Sequence, residues 1–73
     1  MDPDKDFTIT YTYGSYGDKA DYGERARVLV PASGETEAGR LAGRVLARYH
    51  DWFCIDNIHA ATEQEKINVD YIL

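Results

Sequence analysis

The stretch from Ser33 to Phe53, SGETEAGRLAGRVLARYHDWF, limits what this chain can fold into more than any other part of it. Ala38, Leu41, Ala42, Val45, Leu46, Tyr49 and Phe53 recur at the i, i+3, i+4, i+7 spacing that lines one face of an α-helix. The spacing predicts a helix over residues 33–51. Ser33 is placed to cap its first N–H groups, Glu35 and Glu37 set negative charge at the positive end of the dipole, and Arg44, Arg48 and His50 lie toward the other end. Two further stripes remain: Arg40, Arg44 and Arg48 along one flank, and Gly39, Gly43 and Ala47 along the other. Glycine inside a helix costs about 1 kcal/mol relative to alanine, so something is expected to approach closely there. The approaching group is either the chain's own strand or loop, or a partner surface. A second copy packed on the Gly39/Gly43/Ala47 stripe would make the protein a homodimer and not a monomer.

The flanking segments read as strand and turn. Phe7-Thr8-Ile9-Thr10-Tyr11-Thr12-Tyr13 alternates strictly, which predicts a strand with its odd positions toward the helix and its threonines in solvent. Residues 1–6 are an acidic lead expected to fray. Residues 14–23, GSYGDKADYG, form a long loop by composition. Arg25–Val30 is a second strand, with Pro31 ending it. Trp52–Ala60 is a third, whose imperfect alternation leaves open whether Phe53/Ile55 or Cys54/Ile58 face inward. Thr62-Glu63-Gln64-Glu65 reads as a turn, and Ile67, Val69, Tyr71 and Leu73 alternate as a fourth strand. The expected architecture is a single α+β domain over 1–73: a two-layer ββαββ arrangement with a four-stranded, mainly antiparallel sheet and one helix packed on one face.

Composition narrows the function classes. One cysteine, Cys54, excludes an internal disulfide, which with the lack of a long apolar run or a secretory start predicts a cytoplasmic protein with no membrane contact. His50, Cys54 and His59 are spaced H-x3-C-x4-H, without the paired geometry or fourth ligand of a zinc site. Cys54 and His59 would point to opposite faces of a strand, so no cysteine–histidine nucleophile is expected. Gly14, Gly17 and Gly23 match neither nucleotide fingerprint. The expectation is a non-enzyme with no cofactor and no metal.

Charge is segregated. Residues 25–50 hold five arginines against two glutamates, a balance of +3, whereas 1–24 and 51–73 each come to −4, within a total of −5. The arginines and tyrosines could meet nucleic acid, but stand-alone nucleic-acid binders are usually basic, so a small nucleic-acid-binding regulator is the second choice. A protein partner fits better, contacted by Tyr16, Asp18, Asp21 and Tyr22 in the loop and by Arg40, Arg44 and Arg48 on the helix.

A strand ending in Val30-Pro31-Ala32-Ser33, followed by the helix Glu35-Thr36-Glu37-Ala38-Gly39-Arg40-Leu41-Ala42 and then a β-hairpin, resembles small phage and mobile-element proteins. Among them are certain anti-CRISPR proteins that inhibit type I CRISPR–Cas complexes. The likeness covers residues 24–73 as an order of elements. It implies a stoichiometric inhibitor without cofactor, acting in the host cytoplasm if phage-encoded, that occupies a Cas subunit and blocks target-DNA binding or nuclease recruitment.

Overall fold

The structure is a computed structural model, and it describes residues 5–15 and 23–72. Strand β1 (Lys5–Gly14) is followed by β2 (Glu24–Ala32), helix α1 (Glu35–Tyr49), strand β3 (Trp52–Ala60) and a short helix α2 (Glu63–Asn68). β1 lies in the middle of a three-stranded antiparallel sheet of order β2-β1-β3. Since β2 and β3 each run antiparallel to β1, they are parallel to one another, and α1 is the crossover that carries the chain between the two edges.

The strict alternation of β1 translates directly into packing. Phe7, Ile9 and Tyr11 are buried on the face that α1 covers, opposite Val30, Val28 and Ala26 of β2. From the helix, Ala38, Ala42 and Leu46 close on them to form the main core. Two alanines at this contact let the helix axis come close to the sheet, and Leu46 fills the wider end. β1 begins at Lys5, inside the acidic lead, and Asp6 accepts a hydrogen bond from the Tyr71 hydroxyl at 2.6 Å.

Pro31 stands within β2 and not after it, paired in register with Asp6. The Leu29 N–H and C=O both bond outward, to Asp70 O and from Ile72 N. Two residues on, Pro31 turns its nitrogen to the same outer side, so the missing N–H removes no bond to β1.

The helix is shorter than its periodicity suggests. Gly34 is the N-cap residue and no side chain caps the end; the Ser33 hydroxyl donates instead to Glu37 at 2.6 Å. The glycine stripe faces β3. A Cβ on Gly39 would lie 3.0 Å from the Ile58 δ-methyl, and one on Gly43 would lie 3.8 Å from the Phe53 ring, so the chain's own strand makes the close approach. Gly43→Ala, which meets only ordinary contact distance, is expected to stabilise the domain by about 0.5–1 kcal/mol through helix propensity. A urea midpoint unchanged or lowered by that substitution would contradict this packing.

Two further expectations change. Four strands become three because Thr62 opens α2: its hydroxyl accepts from the Glu65 N–H while the Glu65 carboxylate accepts from the Thr62 N–H, a complete capping box. The alternating Ile67–Leu73 pattern therefore does not make a fourth strand; the tail touches the sheet at a single parallel bridge, Leu29 to Tyr71, and Ile67 is exposed. The threonine face is also not uniformly solvated. Thr8 is fully buried, donating to Glu65 of α2 at 3.1 Å, and its register partner Leu29 is buried on the same face.

Candidate functional site

Along β3 the pairing slips at Thr10/Tyr11: Asn57 stands opposite Thr10 and Ile55 opposite Tyr11, which leaves Asp56 as an extra residue in the strand. This bulge reverses the inside–outside parity, so Phe53, Ile55 and Ile58 all pack against the main core while Cys54 is exposed. Asp56, freed by the bulge, accepts from Thr12 at 2.7 Å and meets Arg25 at 3.8 Å.

On the same face, Glu65 gathers four groups. It accepts from the Thr8 hydroxyl and the Thr62 N–H, lies 3.0 Å from His59 Nε2, and pairs with Arg27 at 3.5 Å. Asn57 Nδ2 stands 2.9 Å from His59 Nδ1; with that nitrogen accepting, Nε2 carries the proton donated to Glu65. The Thr62 N–H first, then the His59 and Thr8 hydrogen bonds, hold the Glu65 carboxyl down to about 2 from an ordinary 4.5. Beside it, a polar hollow of about 200 Å³ is lined by Arg27, Thr62, Gln64, Glu65 and Asn68. This cluster fastens α2 to the sheet.

Its pH dependence follows from the sign of that shift. The folded-state value lies below the unfolded one, so the contribution is fully present above about pH 4.5 and is lost as pH falls through about 2. Urea midpoints followed from neutral pH downward should fall less steeply in Glu65→Gln than in the parent protein. Parallel decline in the two would show that Glu65 does not carry the acid sensitivity.

The histidines do not converge on Cys54. His50 stacks on Tyr13 with ring centroids 4.1 Å apart, and His59 is engaged by Glu65. Among the described residues, no group of three His, Cys, Asp or Glu side chains is placed to hold a metal ion.

The outer face of α1 differs in kind. Arg40, Arg44 and Arg48 are all exposed, and none makes an ion pair among the described residues, whereas Arg25 and Arg27 on the sheet are both paired. Next to them runs a second stripe, Leu41, Val45 and Tyr49, at the same i+4 spacing and offset by one residue. Leu41 and Val45 are half-buried, and Tyr49, expected in the core, is 75% exposed because it lies at the last helical residue. Leu41, Arg44, Val45 and Arg48 line an open groove of about 330 Å³. The Gly39/Gly43 flank faces β3, so this groove opens on the opposite side of the helix, above β2.

The structure thus brings Arg40, Arg44 and Arg48 together on one surface. Tyr16, Asp18, Asp21 and Tyr22 lie outside the described residues. Reading the chain alone missed the apolar stripe beside the arginines, since its residues share the periodicity of the core. It also missed the Glu65 cluster, for which the Thr-x-x-Glu pattern at 62–65 was the available signal.

Comparison with known protein families, curated proteins and solved structures finds no match. Among the described residues, no helix is long and apolar enough to cross a membrane.

Proposed function

We propose that this chain is a small non-enzymatic protein-binding inhibitor that engages its partner through the outer face of α1. The observation that supports this is the contrast between paired and unpaired arginines. Arg25 and Arg27 meet Asp56 and Glu65, while Arg40, Arg44 and Arg48 have no counter-charge among the described residues and stand beside a groove lined in part by Leu41 and Val45. Three like charges in one row cost self-repulsion, and an outside anion relieves it. Arginine and tyrosine anchors are the side chains in which interface energy concentrates, and Tyr16, Asp18, Asp21 and Tyr22 supply a second contact. In its most specific form the proposal follows the anti-CRISPR resemblance: the partner is a Cas subunit of a type I complex in the host cytoplasm, and binding blocks access to target DNA.

The test titrates the protein against a purified type I effector complex and follows binding of target duplex. Stoichiometric loss of DNA binding is the expected result. Arg44→Ala should weaken inhibition by about 1–2 kcal/mol while leaving the fold intact by circular dichroism. A folded variant that lacks all three helix arginines and Tyr22, yet inhibits fully, would remove this assignment.

The unpaired arginines also favour a second reading, a nucleic-acid-binding regulator. Phosphate contacts make affinity fall steeply with salt, whereas a mixed protein interface loses it gently. One salt titration therefore separates the two.

A further inference from the structure

The two parallel stripes on α1 say what shape of partner fits. Arg40, Arg44 and Arg48 repeat at about 6 Å along the axis, as four residues at 1.5 Å rise require. Leu41, Val45 and Tyr49 repeat at the same interval one position away. A surface made of a cationic row and an apolar row with a common repeat of about 6 Å is matched in phase by a helix with an acidic row beside an apolar row, whose own i+4 repeat has the same length. We infer that the occupant of this face is an acidic amphipathic helix of a partner protein, an inference that rests on the protein-binding reading above. Its carboxylates at i, i+4 and i+8 pair with Arg40, Arg44 and Arg48, and its apolar side chains enter the groove floored by Leu41 and Val45.

Three observations favour this occupant over a nucleic-acid backbone. Between Arg44 and Arg48 the groove is lined by Leu41 and Val45, aliphatic side chains that give a leucine or methionine a place to lose water and that a sugar–phosphate chain would leave unused. Tyr49 extends that apolar row beyond the groove while exposed, in a position to cover a helix lying across it. The chain as a whole carries −5, a field that opposes the approach of a long polyanion more than that of a short helix with three carboxylates. The arginine stems add to the contact, since their methylene groups can lie along an apolar partner while the guanidinium groups meet carboxylates.

The probe is a synthetic helical peptide of about 20 residues, long enough to hold helix in water, with three glutamates at i+4 spacing beside three leucines. It is titrated into the full chain by fluorescence anisotropy. Saturable binding is expected, with a loss of about tenfold or more for Arg44→Glu, an exposed position whose variant is checked for fold by circular dichroism. The same peptide carrying lysine for glutamate should recover binding to the protein in which Arg40, Arg44 and Arg48 are all replaced by glutamate. Leucine-to-glutamine replacement in the peptide should also cost about tenfold, because the groove then has no apolar occupant.

Equal binding by the glutamine peptide would reduce the site to bare charge and overturn the inference. So would tighter binding of single-stranded or duplex DNA at the same salt, or failure of the charge exchange to restore affinity. The outcome is separable from the proposed function. A protein that needs Arg44 to inhibit an effector complex but ignores the acidic peptide keeps the function and loses the helix. One that binds the peptide through both rows yet leaves the complex untouched keeps the helix and loses the inhibition.

Discussion

Ile9→Ala is expected to lower stability by about 3–4 kcal/mol. Ile9 is wholly inaccessible to solvent and sits at the midpoint of the central strand, with Val28 on one side and Ile58 on the other. Both neighbours belong to strands and the roof is α1, so little can move inward to fill the space left by the lost methyl and methylene groups. A chain of 73 residues buries a modest share of its surface, and its total stability is expected to be only several kcal/mol. A loss of that size should leave a substantial unfolded population at room temperature. Urea denaturation followed by far-ultraviolet circular dichroism reads it directly. A midpoint within experimental error of the parent protein would mean that the sheet and α1 do not pack as described.

Gly23→Ala should cost about 2–4 kcal/mol, although Gly23 lies outside every regular element. Its backbone has φ of 78°, a region that an L side chain enters only with strain. A Cβ there would also lie 2.7 Å from Thr12 Cγ2 and 2.7 Å from Trp52 Cη2. One neighbour is a β-branched side chain in the central strand and the other a ring at the start of β3, so neither yields by rotating a flexible tip. The substitution therefore meets conformational strain and a clash together, whereas Gly43→Ala meets neither. Measured side by side, the two should differ in sign. A neutral Gly23→Ala would indicate that the entry to β2 takes another course.

Alternation and helical periodicity were legible wherever a single face met a single layer. β1 and α1 came out with the right type and nearly the right limits for that reason. The limits of β3 were legible, Trp52–Ala60, but its inward face was not, because Asp56 is an extra residue: after it, inward and outward exchange, and no period-2 reading can assign Phe53, Ile55 and Ile58 to one face. At the C-terminal end two signals competed. Ile67, Val69, Tyr71 and Leu73 carried the period of a strand, and Thr62 with Glu65 carried a helix start. The helix start prevails because its hydrogen bonds are local and its carboxylate is also claimed by Thr8, His59 and Arg27. Of the candidate contact residues, Arg40, Arg44 and Arg48 were found from spacing alone, since i+4 repetition on one helix needs no tertiary information.

By itself, the chain settled the α+β class, the existence of α1, the inward row of β1 and the arginine row, because each depends on residues close together in the chain. Tertiary structure alone decided that β1 is central and that α1 is a crossover between two edges. It also decided that Thr8 is buried and that Leu41 and Val45 line a groove together with Arg44 and Arg48. The reason is physical: periodicity says which residues share a face, while only the positions of distant segments say what covers that face and which charges are left without a partner.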